Sequence, residues 1–380
     1  MKQPVPALTS LRFFAAAMIV IQHSASYFHI LEDFTHKFTL IQGVTFFFVL
    51  SGFILTYAHH SLEGAANSAR FIWARIARVW PVHAFTMGLL YFLWVYPYAT
   101  GLTVSTQEVL LNISLLQAWS QLPSNFFAFN GVAWTLSVEM FFYAMFPLLI
   151  FNFNKTWHIK LGMAAFLAIT GVRIAIESHA PIYTTENVAS VASWTYIWPV
   201  TRLFEFVLGM TAGHAFIKYG HKIRDSKYSG AFGVASLVVL LGAAWLVPAL
   251  GWSLEASGAV SPATRSWIAV SGSSIFFAVS LFMLAPSVGI VTNILKWKPL
   301  VLLGEISFSI YMIHQLVVRS LMINPSWTEG VPAGWAMAGY WAFVIAASYV
   351  TWRLVEKPCQ RAMVSLFKKS PAPATLAQRA

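Results

Sequence analysis

Long apolar runs recur along the whole sequence, and short polar stretches separate them. Ten such runs can be marked, at about residues 8–28, 39–59, 79–99, 132–152, 159–178, 197–217, 230–248, 264–285, 300–322 and 335–355. Each run is long enough to cross a bilayer as a helix, which needs roughly 20 residues. The alternation over ~10 residues that marks a membrane barrel is not found, so backbone groups in lipid would be satisfied within helices. The pattern therefore predicts an all-α, polytopic membrane helical bundle with about ten transmembrane helices.

The basic residues predict how this bundle is oriented. When the N-terminus is placed in the cytoplasm, most of the 24 Lys and Arg residues fall in segments that then lie inside. The long segment 100–131, which then lies outside, contains no Lys or Arg. Cytoplasmic segments of membrane proteins carry such an excess of basic residues. Both termini are therefore predicted to be cytoplasmic.

The composition agrees with a membrane protein and excludes several other classes. Hydrophobic residues make up 58% of the 380 residues and charged residues only 10%, far from the balance of soluble domains. The net charge of +11 comes from small, separate groups of basic residues, so we predict no nucleic-acid binding. The single cysteine, Cys359, excludes an internal disulfide and a cysteine-based zinc site, and we predict no metal ion.

The chain is predicted to form one membrane domain with a short tail. The domain covers residues 1–365, and the polar residues 366–380 are expected to be a disordered cytoplasmic tail. The first apolar run has no small-residue cleavage site, so we expect a retained helix and not a signal peptide. Segment 100–131 is long for a loop, and is predicted to form a helix on or in the outer face, or a lid.

Arg12 and His23 are ionisable residues inside the first apolar run, where charge is costly. They are eleven positions apart, so a helix brings them onto one face about 16 Å apart. Glu139, in the fourth run, would reach a depth similar to that of His23, so a hydrogen bond between carboxylate and imidazole is predicted. The alternative is structural: an arginine that reaches the headgroups, and a polar pair that holds two helices together.

Three arginines follow the second run. Arg75 and Arg78 are three positions apart on one helical face, and Arg70 precedes them. Guanidinium groups suit phosphate, and this cluster lies on the predicted cytoplasmic side, where phosphorylated cofactors are found. The alternative is an ordinary positive anchor at the membrane surface.

Two further polar groups lie inside later runs. Arg202 and Glu205 are three positions apart, and form either an ion pair that stabilises one helix or a substrate contact. Ser307, Tyr311 and His314 follow at intervals that make one polar stripe on a helix. A histidine on such a stripe is either a catalyst or an interior residue whose hydrogen bonds are satisfied.

These positions, taken in order, resemble the acyltransferase-3 family of integral membrane O-acyltransferases, which is widespread in bacteria. The elements that carry the resemblance are the spacing of Arg12 and His23, FFFVLSGFIL at 46–55, Arg75 and Arg78 before Pro81, WTLSVEMFFY with Glu139 and Tyr143, Arg202 with Glu205 and Gly209, ISFSIYMIH with Ser307, Tyr311 and His314, and the closing WRLVEKP. They span nearly the whole chain. One departure is Thr135, which stands where the family often has serine.

The resemblance implies a multi-pass enzyme of the bacterial cytoplasmic membrane that transfers an acyl group, expected to be acetyl. The donor would be cytoplasmic acyl-CoA, held by Arg12, Arg75 and Arg78, and the acceptor a hydroxyl of a cell-surface or exported saccharide. His23 would be a general base or an acylated intermediate, and Glu139 would orient His23 or take the proton. Substrate contacts are expected from six further residues: Tyr143, Arg202, Glu205, Ser307, Tyr311 and His314.

Two other classes of function fit the same intramembrane charges. A transporter or flippase for a saccharide-linked or acylated compound would line its path with them. A sensor or scaffold would bind CoA without turning it over. Turnover separates the three classes, because a carrier returns its substrate unchanged whereas an acyltransferase releases free CoA.

Overall fold

The computed structural model of the protein describes residues 5–60, 62–95, 104–184 and 186–368. Within these residues the regular structure is entirely helical, as the apolar runs predicted. The helices of the first half are α1 (Pro6–Phe28), α2 (Glu32–Lys37), α3 (Gln42–Ala58), α4 (Ala65–Leu90), α5 (Thr106–Ile113), α6 (Pro123–Phe126), α7 (Trp134–Ile150) and α8 (Phe153–Glu177). The helices of the second half are α9 (Pro199–Arg224), α10 (Ser229–Ala256), α11 (Pro262–Ser271), α12 (Ser274–Leu284), α13 (Ile290–Leu295), α14 (Lys298–Glu305), α15 (Ser307–Ile323), α16 (Ala333–Thr351) and α17 (Lys357–Lys368).

Within the described residues, each predicted apolar run coincides with a helix or with consecutive helices, and the end of the run 79–99 lies outside the described residues. Six helices of the described residues are long and apolar enough to cross a membrane, or seven if one bent pair is counted as a span. The apolar helices α3 and α7 are shorter, at 17 residues each. The count of ten spans and the cytoplasmic placement of both termini therefore remain predictions.

Two of the predicted runs are divided. The run 264–285 forms α11 and α12, and the run 300–322 forms α14 and α15, which meet at a bend of 63°. Just before this bend, a Cβ on Gly304 would collide with the backbone of Thr9, so α14 passes directly against α1. The close approach fixes the start of α15 beside the first helix.

The segment 104–133 descends into the bundle. Phe126 belongs to the main hydrophobic core. The Asn130 side chain donates a hydrogen bond of 2.9 Å to the carbonyl of Met312, in the middle of α15. As a result, α7 begins within the bundle, at Trp134, and not at its outer surface.

Helices α3 and α9 cross with their backbones in contact. Gly52 on α3 faces the Phe206 carbonyl, Gly209 on α9 faces the Val49 carbonyl, and a Cβ on either glycine would collide with that oxygen. Small residues at a crossing let helices approach in lipid, where apolar contact alone gives little driving force. The pair α3 and α9 therefore forms a fixed wall beside the other helices.

The last described residues form a nearly continuous helical rod, which consists of α16, a π-helical turn and α17. Helix α16 leads into a π-helical turn, Trp352–Glu356, and directly into α17. The Trp73 indole donates a hydrogen bond of 2.8 Å to the Met363 carbonyl, which holds α17 against α4. The predicted tail begins at residue 366, α17 ends at Lys368, and the rest of that tail lies outside the described residues.

Candidate active site

A cavity between α1, α3, α4, α7 and α15 brings together six of the predicted site residues, Tyr311 among them. Its lining includes Arg12 from α1, Arg75 and Arg78 from α4, and Glu139 and Tyr143 from α7. The intervals of three residues in α4 and four in α7 place each pair on one helical face. The cavity volume is about 100 Å³, and about 810 Å³ when the space out to its opening is included.

The rest of the cavity wall is mostly aromatic and aliphatic. Phe47 and Phe48 come from α3, and Phe308 comes from the start of α15. Ser51 and Tyr311 are among the residues that supply hydroxyl groups. An apolar wall around a few placed polar groups is typical of a site that binds a small molecule.

The positive charge of this cavity is not matched by nearby acids. Arg12, Arg75 and Arg78 share the Glu139 carboxylate as an electrostatic neighbour, and the Tyr143 hydroxyl interacts with that same carboxylate. None of the three arginines forms a salt bridge with a described residue. The Arg75 Nε is buried and has no hydrogen-bond partner in the described part of the chain. Because unpaired buried charge is costly, the arrangement suits an anionic ligand.

A second carboxylate, Glu356, approaches these arginines and was missed in the sequence. It is buried, accepts a hydrogen bond of 2.8 Å from the Ser309 hydroxyl, and has Arg78 and Arg12 as electrostatic neighbours. It ends the π-helical turn Trp352–Glu356, and such turns are frequent at functional sites. The available signal was an acid in WRLVEKP at the end of an apolar run. Two carboxylates against three guanidinium groups still leave an excess of positive charge.

His23 lies outside this cavity, and its partner is His314. Nδ1 of His23 is 3.0 Å from Nε2 of His314, and the two rings are stacked with centroids 5.3 Å apart. Nδ1 of His314 is 3.3 Å from the Ile310 carbonyl oxygen, which can only accept, so this nitrogen carries the proton. Nε2 of neutral His314 must then accept from Nδ1 of His23. This leaves Nε2 of His23 as the basic nitrogen of the pair.

The hydrogen bond predicted between His23 and Glu139 is not formed. That prediction placed the start of α7 at the outer surface. Because segment 104–133 already descends into the bundle, α7 carries Glu139 to the level of Arg12. Along the continuous helix α1, that level is roughly 16 Å from His23.

Tyr311 connects the cavity with the histidine pair. Its side chain lines the cavity, and its ring centroid is 5.8 Å from that of His314. The Thr135 hydroxyl lies 3.2 Å from the Tyr311 hydroxyl, which restrains the ring. The third member of the predicted polar stripe, Ser307, donates to the Gly304 carbonyl at 2.8 Å, so its hydroxyl is used within the helix bend.

Arg202 and Glu205 form an ion pair that is enclosed in protein. Nη1 of Arg202 is 2.9 Å from Oε1 of Glu205, and both side chains are completely buried. Arg202 also donates to the hydroxyls of Thr45 and Ser271, each at 3.0 Å. Its guanidinium lies 5.1 Å from the ring centroid of Phe48, behind the cavity wall. The ion pair is thus present, and contact with substrate stays a prediction for both residues.

Two further features are the acidic and metal-ligating side chains and the position of Arg70. Among the described residues, no group of three or more His, Cys, Asp or Glu side chains is arranged to hold a metal ion. Arg70, which precedes the arginine pair, is exposed on α4 and does not line the cavity.

The match of the chain to a known family decides its class. A family model described as an acyltransferase domain matches residues 5–353. The chain belongs to this acyltransferase family. The match includes Arg12, the two α4 arginines, Glu139 and both histidines of the pair, whereas Glu356 lies just beyond it. The resemblance found in the sequence is therefore confirmed.

Several named relatives align with half or more of this chain. The acyltransferase MdmB of Streptomyces mycarofaciens is 28% identical over 380 residues, which cover 94% of this chain and 92% of that protein. The exopolysaccharide production protein ExoZ of Rhizobium meliloti is 29% identical over 194 residues, covering 50% of this chain and 56% of that protein. The O-acetyltransferase OatA of Staphylococcus aureus is 22% identical over 378 residues, covering 94% of this chain and 57% of that protein. No solved structure matches the chain.

Family membership and the long apolar helices together make this protein a multi-pass membrane acyltransferase. The site described above combines a nitrogen of His23 that the histidine pair leaves unused with a separate cavity that carries an excess of positive charge. Tyr311 lies between the two.

Proposed function

We propose that the protein transfers an acyl group, expected to be acetyl, from cytoplasmic acyl-CoA to a hydroxyl of a cell-surface or exported saccharide. The observation that carries the proposal is the excess positive charge in the cavity, where the Arg75 Nε is buried without a partner among the described residues. Acyl-CoA carries several phosphate groups, and guanidinium groups bind phosphate through paired hydrogen bonds. The donor's charged end therefore belongs beside Arg75 and Arg78.

The distance from this cavity to the histidines fits an extended donor. Arg12 and His23 lie on one continuous helix, eleven residues and roughly 16 Å apart. The flexible arm of CoA would run from the arginines past Phe47 and Tyr311, whose ring centroids are 6.1 Å apart. Its thioester would then stand at His23, while the phosphates stay at the other end.

The reaction would use Nε2 of His23 as the base. This nitrogen takes the proton of the acceptor hydroxyl while the hydroxyl oxygen attacks the thioester carbon. A C–O bond forms, the C–S bond breaks, and the leaving CoA sulfur receives the proton from the His23 imidazolium. His314 accepts the Nδ1 proton of His23 in a hydrogen bond throughout, and so keeps the ring oriented. In the alternative route, the same nitrogen is acylated first and then transfers the group.

The two carboxylates have a positioning role in this proposal. Glu139 and Glu356 both act on Arg12 and Arg78, and so hold the guanidinium groups apart and directed into the cavity. The excess positive charge that remains is available to the donor. Glu139 acts in this way at the donor end, and does not touch His23.

The acceptor is proposed from the names of the relatives. One is called an O-acetyltransferase and another an exopolysaccharide production protein, which supports a hydroxyl acceptor on a saccharide. Acetyl is the group expected from the same names. The apolar helices support a reaction at a membrane.

The proposal is tested with purified protein in liposomes, given acetyl-CoA and a cell-envelope glycan fraction. Free CoA thiol and acetyl ester on the glycan are measured together, and protein-free liposomes are the control. We expect the two products in equal amounts. Transport of acetyl-CoA or glycan across the liposome without release of CoA would favour a carrier and contradict the enzyme. Absence of any thermal shift with acetyl-CoA would contradict CoA as the donor.

A further inference from the structure

A groove outside the catalytic path carries three basic side chains. It is lined by Leu302, Tyr349, Trp352, Arg353, Lys357, Pro358 and Arg361. The space, counted out to its opening, is about 760 Å³. The groove lies where the π-helical turn Trp352–Glu356 passes into α17, with α14 on its other side.

The local helix geometry separates the basic residues from the neighbouring acid. Arg353, Lys357 and Arg361 follow one another at intervals of four, so they share one face of the rod. Glu356 lies between them in sequence but is turned inward, where it accepts the hydrogen bond from Ser309. Lys357 is also an electrostatic neighbour of Glu356, after Arg78 and Arg12, so the groove keeps an excess of positive charge and not three unopposed charges.

The groove lining contains no acid among the described residues. None of the three basic residues forms a salt bridge in the described part of the chain. Arg353 donates to the Tyr349 hydroxyl at 3.3 Å, and the Lys357 Nζ lies 3.5 Å from the ring centroid of Trp352. Glu305, the acid on α14, does not line the groove. Arg353 and Lys357 are thus held by aromatic residues, and their positive charges remain available to a ligand.

The depth of the groove matches the boundary of a membrane. Helix α16 has 19 residues before the π-helical turn begins, a length of about 28 Å, and a bilayer's hydrocarbon core is about 30 Å thick. Residues after 351 therefore lie at the level of the lipid headgroups. Tryptophan and tyrosine are enriched at that level. Leu302, which lines the groove, and Leu354, which follows Arg353 in the chain, are both exposed and are available to contact lipid chains.

We propose that this groove binds an anionic phospholipid. The phosphate contacts Arg353, Lys357 and Arg361, and the acyl chains extend along the exposed leucines into the hydrocarbon core. Basic pockets at helix ends recognise anionic headgroups in this way, since each Lys or Arg near the surface adds to the attraction. A soluble nucleotide phosphate would gain nothing from the flanking leucines, so membrane lipid is the favoured occupant.

The test measures thermal unfolding of the purified protein in a neutral detergent during titration with dioctanoyl-phosphatidylglycerol. Parallel titrations use dioctanoyl-phosphatidylcholine and free CoA. The key variant combines Arg353→Gln, Lys357→Gln and Arg361→Gln. A matched control combines Lys218→Gln, Lys222→Gln and Lys227→Gln, which removes the same charge from exposed positions near the end of α9. A second control, Arg353→Lys with Arg361→Lys, keeps the charge of the groove.

We expect phosphatidylglycerol to stabilise the wild type and both controls, and phosphatidylcholine to have little effect. In the key variant the midpoint concentration for phosphatidylglycerol should rise by a factor of at least about 30. Equal stabilisation of the key variant and the wild type would overturn the proposal. A response to free CoA that the key variant loses, with no response to phosphatidylglycerol, would show a nucleotide site and also overturn it.

Discussion

Two buried groups of charges lie on opposite sides of Phe48. Behind that ring, Arg202 and Glu205 match one positive charge with one negative charge, and both side chains are sealed from solvent. In front of it, the cavity holds Arg12, Arg75 and Arg78 with fewer acids than bases and with open space beside them. A matched pair without space has no room for a ligand. An unmatched cluster with space has both the charge and the room to bind an anion.

The difference separates charges that hold the fold from charges that serve the reaction. Loss of a member of the enclosed pair should first lower stability, because it strands a buried charge. Loss of a member of the open cluster should first lower turnover or donor affinity. In the proposed mechanism the histidine pair serves the reaction, since one nitrogen of His23 is not used in the pair itself.

The largest expected effect is at the histidine pair. His23→Ala should lower CoA release by about 10²–10⁴-fold, since it removes the proposed base. The thermal unfolding midpoint should change little. His314→Ala should have a smaller effect, and the double variant should be no slower than His23→Ala alone, because the two rings act as one unit. Retention of more than about a tenth of wild-type turnover by His23→Ala would contradict the mechanism.

The next effect is on stability, at the enclosed pair. Arg202→Met should lower the free energy of unfolding by about 3–5 kcal/mol, because Glu205 is left buried and unpaired. The double variant Arg202→Met with Glu205→Met should recover most of this loss. Unfolding is followed by denaturant titration in detergent. If Arg202→Met instead kept wild-type stability and lost turnover, the pair would belong to the site. The distinction between the enclosed ion pair and the open arginine cluster would then be wrong.

A third effect is on donor affinity, at the open cluster. Arg78→Gln removes a charged donor to phosphate, a contact of about 1.5–3 kcal/mol, so KM for acetyl-CoA should rise by about 10–100-fold. Arg70→Gln is the matched control, since Arg70 is exposed on the same helix and does not line the cavity. KM for acetyl-CoA is measured for both variants by steady-state kinetics. An equal change in both variants would point to surface charge and not to the cavity.

The smallest effect is at the Tyr143 hydroxyl. Tyr143→Phe removes a hydroxyl that interacts with the Glu139 carboxylate. A hydrogen bond to a charged group contributes about 1.5–3 kcal/mol, and only part of this loss reaches the donor because Tyr143 acts through Glu139. Donor KM should therefore rise by no more than about tenfold. The ring remains, so the thermal unfolding midpoint should stay close to that of the wild type. A larger loss, in kcat at constant KM, would give the hydroxyl a part in the chemistry itself.

Most of the fold could be predicted from the sequence, because an apolar run long enough to cross a membrane is about as long as the helix that it forms. The runs located the long helices correctly, and the family motifs were confirmed. The breaks were not predicted, since the bend between α14 and α15 depends on the contact of Gly304 with Thr9. Such a contact joins positions far apart in the chain, and no local pattern reports it.

The grouping of the arginines was predicted better than the partner of His23. Spacing placed Arg75 with Arg78 on one face, and the cavity contains both. The partner of His23 was wrong because depth was counted from an assumed start of α7, whereas the preceding segment descends into the bundle. Glu356 was missed because its inward direction follows from a π-helical turn, and the sequence pattern of such a turn is weak.

The position of Tyr311 between the cavity and the histidine pair bears on the proton gradient across the membrane. A route that lets a thioester arm reach across a membrane could also conduct protons, and a living membrane depends on its proton gradient. Tyr311 is restrained by Thr135 and stands against Phe47, so the route is closed by side chains when no arm fills it. With the proposed function, such an enzyme would pass acyl groups across an energised membrane without acting as an uncoupler.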